Sequence, residues 1–239
     1  MAKKFFWLHI PKCGGQSMRR ALKGIYVNTK RKKPAHFNDL PKEQWNDALN
    51  NYRVGLGKYD YKRMLYAKKF LYTKKEFDSM FKFTIVRNPY SRAFSNWKYH
   101  CSYPTLLLNR KYQSPIPSWW FLMQYINKKK SFEMFLAAVK KNLETKKNYH
   151  MATHTAPMLP DITDEKGKLL VDFVGRLENI GDDFAFIAKK IGIGKKKFPK
   201  VNVTKRRGGY EDYYTEKSRK IVEDIYKEDI KFFGYKFGE

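Results

Sequence analysis

The hydrophobic positions of this chain fall in short, dense runs rather than long periodic stretches. Phe5-Phe-Trp-Leu-His-Ile10, Phe81-Lys-Phe-Thr-Ile-Val86 and Leu169-Leu-Val-Asp-Phe-Val174 are rich in aromatic and branched residues. Runs of this length and composition predict buried strands of a parallel sheet. Strands are expected at 4–10, 82–86 and 169–174, with a fourth candidate near 25–28. Polar, helix-favouring stretches separate them, with helix starts expected near 17, 41, 73, 90, 131, 180 and 215. Thr73-Lys-Lys-Glu76 has capping-box spacing, and Ser131 and Thr215 are candidate N-caps. Strands alternating with helices predict an α/β, three-layer fold with a central parallel β-sheet flanked by helices. No internal repeat or interdomain linker interrupts the chain, so 1–239 is expected to be one domain. Residues 102–118, with Pro104, Pro115 and Pro117, read as a loop and a candidate lid.

The first apolar run ends in Pro11-Lys-Cys-Gly-Gly-Gln-Ser17 and turns into Met18-Arg-Arg-Ala-Leu22. A strand, a glycine turn and a helix start make an anion site, because the first helical N–H groups have no intrahelical partner and the dipole favours negative charge there. Gly14 and Gly15 let the backbone approach an oxyanion, and Lys12 adds a mobile cation at the mouth of the turn. The Walker A order is not followed: Lys12 precedes the glycines, and no Gly-Lys-Ser/Thr occurs in the chain. An ordinary strand–helix turn would fit these residues taken alone.

The second run ends in Arg87-Asn-Pro-Tyr-Ser-Arg-Ala-Phe-Ser95. Pro89 keeps Asn88 out of helical geometry and opens the next helix, which sets Arg87 at the carboxyl end of the strand, where open α/β sheets hold ligands. Ser95 is expected two turns into that helix, on a face that returns toward Arg87. Arginine plus hydroxyl suits a phosphate monoester; an Arg–carboxylate staple is the competing reading.

Together, His9-Ile-Pro-Lys-Cys-Gly-Gly-Gln-Ser17 and Val86-Arg-Asn-Pro-Tyr-Ser-Arg-Ala-Phe-Ser95 resemble the sulfotransferase superfamily, closest to its carbohydrate-sulfating, Golgi-type branch. The resemblance continues through Lys168–Ile180, Asp183-Phe184, Asn202-Val-Thr-Lys205 and Ile225–Tyr235, and is thinnest at 50–75 and 102–130. It implies a P-loop-like fold and 3′-phosphoadenosine-5′-phosphosulfate (PAPS) as donor, with 3′,5′-adenosine bisphosphate (PAP) as product. By the same resemblance the loop Lys12, Cys13, Gly14, Gly15, Gln16 and Ser17 holds the 5′-phosphosulfate, while Arg87 and Ser95 hold the 3′-phosphate. Lys205, Arg206, Arg207 and Gly208 resemble the basic loop that closes over the donor's phosphates. The family's commonest loop has Thr where this chain has Cys13 and Gln16, and many members have Gln where it has Met158. A thiol beside a helix start can be acidic and reactive; a small apolar filler is the plainer role for Cys13.

Composition sets limits. The 239 residues suffice for a real core, and 42% hydrophobic with 17% aromatic content argues against disorder. No apolar run reaches the roughly 18 residues of a membrane span. The chain is therefore expected to be soluble and cytoplasmic, or from the Golgi lumen if an N-terminal anchor has been trimmed. Two cysteines, Cys13 and Cys101, fit a reducing compartment. The formal charge of +27 suits an anionic donor or polymer acceptor, although Lys-rich coding accounts for much of it. A nucleic-acid binder is the alternative from another class, but no helix-turn-helix, zinc or RNP motif accompanies the charge. A kinase or NTPase with a degenerate loop is the other alternative.

Sulfuryl transfer needs a base for the acceptor hydroxyl, a cation for the leaving phosphate and donors that hold the group in line. Lys12 is the cation by position, and no metal is expected. His36, between the two donor motifs, is favoured as base over His154, which lies in a His-x-x-Pro element. His9 is expected to be packed, and His100 and His150 carry no special context. The acceptor is expected to be a hydroxyl-bearing molecule, a glycan by resemblance; Trp97, Trp119 and Trp120 are ring-stacking candidates that core packing would equally explain. No specific nucleic-acid partner is expected.

Overall fold

A computed structural model of the chain describes residues 3–28, 36–51, 55–101, 125–194, 197–199 and 209–239. Along it run β1 (Phe5–Leu8), α1 (Gly15–Ala21), α2 (Trp45–Asn50), α3 (Arg63–Tyr66), α4 (Lys74–Ser79), β2 (Phe81–Val86) and α5 (Pro89–His100). Then follow α6 (Lys128–Thr145), α7 (Tyr149–Thr155), α8 (Leu159–Ile162), β3 (Phe173–Arg176), α9 (Ile180–Ile191), α10 (Glu216–Ile225) and α11 (Lys227–Phe233). The described chain divides into two compact units, Met1–Val86 with Met158–Val203, and Arg87–Pro157 with Thr204–Glu239.

The first unit is α/β. Its three strands form one parallel sheet in the order β1-β2-β3, with Phe5 opposite Phe81 and Phe83 opposite Phe173. Alternation along the strands gives each face its own cover. Phe81 and Phe173 meet Phe186 of α9, at 6.4 and 4.6 Å between ring centroids. On the other face Lys82 lies 5.2 Å from the Phe77 ring of α4, and Phe6 meets Tyr72 at 5.9 Å. Helices therefore flank both faces, as the alternating pattern predicts.

β1 is an edge strand, and α2 closes its open side. Asn46 accepts from the Trp7 N–H (3.2 Å) and donates to its carbonyl (2.9 Å), while Asn50 donates to the same carbonyl (2.7 Å). A bare edge would leave these groups unpaired or open to another chain. Buried Asp47, between those asparagines, pairs with Arg19 of α1 and accepts from Tyr26 Oη at 2.8 Å. Burial first, and Asp47 second, hold the Tyr26 phenol far above its ordinary pKa.

The second unit is helical, built around Tyr90, Phe94, Trp97, Phe132, Phe135, Tyr214 and Tyr226. Its most buried cation, Arg92, donates to the carbonyls of Ala156 (2.8 Å) and His154 (3.1 Å), while Tyr226 Oη donates to Thr155 (2.7 Å). The C-terminal carbonyls of α7, which lack intrahelical partners, are thus satisfied by side chains.

The capping box at Thr73 and Glu76 and the cap at Thr215 form as expected. Three expectations need correction. Ser131 is not a cap: Asn127 caps α6 at the Lys130 N–H, and Ser131 is buried inside the helix, accepting from Trp97 Nε1 at 3.2 Å. Residues 25–28 form no strand; the Ile25 and Tyr26 N–H groups bond to the Leu22 carbonyl and wind down α1. The third strand begins at Phe173 rather than 169, because Leu169 bridges antiparallel to Thr163 across a turn at Gly167. Residues 102–118, with Trp119 and Trp120, lie outside the described residues.

Candidate functional site

The loop after β1 is shaped by two left-handed residues, Lys12 (φ 66°) and Gly14 (φ 80°). A lysine in that region is uncommon, and only a surrounding structure that fixes it makes it persist. Gly14 is the N-cap of α1, without a side-chain cap, and the first turn carries no acidic residue. Gly15, first in the helix, cannot carry a side chain: a Cβ there would lie 1.9 Å from His9 Nε2. The His9 ring therefore lies against the loop backbone, 5.4 Å from the Trp7 ring. Its N–H donates to Asn50 Oδ1 at 2.7 Å, and its carbonyl accepts from Arg63 at 3.0 Å.

Arg63 is itself buried and locked to Asp161 by contacts of 2.6–3.1 Å. The pair ties α3 and α8 to the end of β1, just before the loop. Cys13 points inward, buried, with Sγ 3.6 Å from the Pro11 carbonyl and 3.9 Å from Met158 Sδ. The filler role fits this position. Gln16 is exposed and Ser17 buried. Lys12 and Gly14 are half-buried, and Gly15 is buried beneath the His9 ring.

Arg87 follows β2 directly, and Asn88 caps α5 with Pro89 at its first position. The Arg87 guanidinium donates twice to Ser91 Oγ, at 3.0 and 2.7 Å. Ser95, one turn further on the same helix, is half-buried. Ser91 escaped the sequence reading, although its spacing of four from both Arg87 and Ser95 was the available signal. Lys205, Arg206, Arg207 and Gly208 lie outside the described residues.

The two favoured histidines sit in different surroundings. His36 is exposed and caps the short turn Phe37–Asp39, on the rim of a cavity of about 460 Å³. His154 ends α7 in a group that sequence separation concealed: its ring stacks on Tyr99 at 5.2 Å and lies 4.3 Å from His150 and 5.8 Å from His100. His154 Nδ1 lies 2.9 Å from the His150 carbonyl, which only accepts. That contact puts the proton on Nδ1 and leaves Nε2 basic. Burial holds His150 below its ordinary pKa. Among the described residues no three His, Cys, Asp or Glu side chains are arranged to hold a metal ion. Trp97 is fully buried and belongs to the core.

The first unit, with its three-stranded parallel sheet flanked by helices and a glycine loop leading from β1 into α1, defines an α/β protein. The sequence model of the sulfotransferase family matches residues 2–236, and the chain belongs to that family. No curated protein and no solved structure matches it. Family membership supports sulfuryl transfer to a hydroxyl acceptor. Among the described residues no helix is long and apolar enough to cross a membrane.

Proposed function

We propose that this chain transfers a sulfuryl group from PAPS to a hydroxyl of a carbohydrate, as in the Golgi-type branch of its family. The observation that carries the reading is the loop: a left-handed Lys12 and Gly14 lead into a first helical turn free of acidic residues and side-chain caps. Backbone N–H groups of Gly15, Gln16 and Ser17 are the donors for the 5′-phosphosulfate, and Lys12 steadies charge on the departing phosphate. Arg87, with Ser91 and Ser95 on the following helix, is assigned to the 3′-phosphate; Lys205, Arg206, Arg207 and Gly208 are assigned to the closing loop.

His36 is the proposed base. It takes the acceptor's hydroxyl proton as the oxygen bonds to sulfur, and the sulfur–oxygen bond to the 5′-phosphate breaks to release PAP. His154 is the second candidate, favoured by the contact that leaves its Nε2 basic.

Calorimetry with PAP and AMP tests the donor assignment. PAP is expected to bind wild type at least tenfold more tightly than AMP, and Arg87→Ala is expected to abolish the difference. Equal binding of the two nucleotides would refute PAPS as donor.

A further inference from the structure

α1 is only two turns long, and a helix that short does not hold its own direction in water. Its N-cap, Gly14, offers no side-chain bond, so the aim of the Gly15, Gln16 and Ser17 N–H groups is set from elsewhere. Arg19, one turn after Gly15 and about 6 Å along the axis, shows where. Its neighbour Arg20 is exposed, as suits a cation in a last turn, whereas Arg19 is turned inward with its side chain only 16% exposed. The Arg19 guanidinium lies 5.6 Å from the ring centroids of both Trp7 and Tyr26 and pairs with Asp47.

Asp47 is fully buried on α2, and its carboxylate gathers three groups. Arg19 and Tyr26 Oη (2.8 Å) donate to Oδ1, and Asn51 Nδ2 (2.8 Å) donates to Oδ2. Asn50 Nδ2 donates to Tyr26 Oη at 2.9 Å. Arg19 belongs to α1 and Tyr26 to the turn that follows it, so Asp47 grips the helix at two points. α2 is itself fastened to the sheet edge, because Asn46 and Asn50 hold the peptide groups of Trp7 and Asn50 holds the His9 N–H. All of these residues lie within the first unit.

A buried arginine–aspartate pair is a poor device for stability alone. Desolvation of the two ions offsets their attraction, and apolar residues of similar volume often do as well. What the pair supplies beyond apolar packing is direction, since a planar fork and a carboxylate meet in a narrow range of angles. Direction matters at this helix, because an error of about 1 Å in holding a reacting group can cost on the order of a hundredfold.

We propose that Asp47 is a positioning residue for the donor loop: through Arg19 and Tyr26 it fixes the direction of α1, and so the aim of the N–H groups that receive the donor's 5′-phosphosulfate. The role rests on the sulfuryl-transfer reading and adds to it a residue that never touches the donor. Charge alone predicts the opposite sign. Removing the Asp47 carboxylate makes the chain more positive, which by itself draws an anion in more strongly, whereas misdirecting α1 weakens the same anion.

Calorimetry with PAP and with adenosine 3′-phosphate, which lacks the 5′-phosphate, tests the role in Asp47→Asn, in Arg19→Lys and in Arg19→Met combined with Asp47→Leu. Each is expected to weaken PAP about tenfold and to leave adenosine 3′-phosphate within about twofold of wild type. Arg20→Met, which removes a charge from the same turn, is expected to leave both within about twofold. Urea unfolding of the same proteins separates aim from stability: the apolar pair should regain the stability that Asp47→Asn loses, while its PAP binding stays weak. Recovery of PAP binding together with stability would make the ion pair a purely structural contact and overturn the role. Unchanged or tighter PAP binding in Asp47→Asn and Arg19→Lys, or an equal loss for the two nucleotides, would overturn it as well. Should Asp47→Asn not fold, Arg19→Lys, which keeps both charges, carries the same comparison. A wild type that binds PAP no more tightly than adenosine 3′-phosphate would instead strike the assignment of the loop to the donor, and the positioning role with it.

Discussion

Replacing Gly15 by alanine is the most direct probe of how the loop is held. In an unobstructed helix the change would stabilise by about 0.5–1 kcal/mol, since glycine loses more backbone freedom on folding. Here the new Cβ would lie 1.9, 2.3 and 2.7 Å from His9 Nε2, Cδ2 and Cε1. Carbon contacts settle at about 3.5 Å or more, so the ring or the helix start must move by more than an ångström. The ring has little freedom: Trp7 lies alongside, and the His9 backbone is held by Asn50 and Arg63. Overpacking of this kind costs about 1–3 kcal/mol. Gly15→Ala should therefore be destabilising by roughly 1–2 kcal/mol net, or a few degrees in melting temperature for a chain of this size. In a His9→Ala background the same change should become neutral or stabilising. Urea unfolding of the four proteins gives the coupling, expected at about 1–3 kcal/mol. A Gly15→Ala effect of equal size in both backgrounds would refute the account of His9 as the residue that requires glycine.

Asn46→Ala should cost about 1–3 kcal/mol in urea unfolding, because it takes the acceptor from the buried Trp7 N–H and leaves the carbonyl with Asn50 as donor, whereas exposed Asn38→Ala should stay within about 0.5 kcal/mol. Asp161→Ala should lower stability by about 3–5 kcal/mol by leaving Arg63 buried without its carboxylate, and Arg63→Met with Asp161→Leu should recover most of that in the same melts. Acidification should weaken the helical unit through His150. Its folded pKa lies below the unfolded value, so the unfolded chain takes the proton first. Stability is then full above about pH 6.5 and falls as pH drops below it, by up to about 1.4 kcal/mol per pH unit. His150→Phe should flatten the urea midpoint between pH 7 and pH 5; an unchanged slope would refute the role of His150.

What could be read in the sequence was local. Pro89 after Asn88, and Thr73 three residues before Glu76, state their own geometry, and both form as expected. Where local signals misled, a competing neighbour had won. Asn127 caps α6 ahead of three lysines that hide the helix start, and the pairing of Leu169 with Thr163 delays β3. What stayed hidden was long-range. Arg63 and Asp161 are 98 positions apart and Trp7 and Asn46 are 39 apart, and no periodicity reports such pairings. The same holds for His100, His150 and His154, which looked unrelated and share one cluster. The arginine after β2 was legible because strand and proline fix its place; its partner Ser91 required the helix to be drawn.

The chain's departures from the family pattern also make more sense in space than along the sequence. By the sequence resemblance Cys13 and Met158 stand in place of a Thr and a Gln; they are 145 residues apart, yet their sulfur atoms lie 3.9 Å from each other beneath the loop. Changing one polar member alone would leave a buried hydrogen-bonding group facing an apolar neighbour, at about 1–3 kcal/mol. Changing both replaces a polar pair by a polarisable apolar one and leaves nothing unsatisfied. The two differences are then one difference, confined to the underside of the loop. On that account Cys13→Thr alone should destabilise the chain, and adding Met158→Gln should restore much of the loss. If Cys13→Thr costs the same in the wild-type background as in the Met158→Gln background, the two positions are independent and the pairing has no energetic meaning.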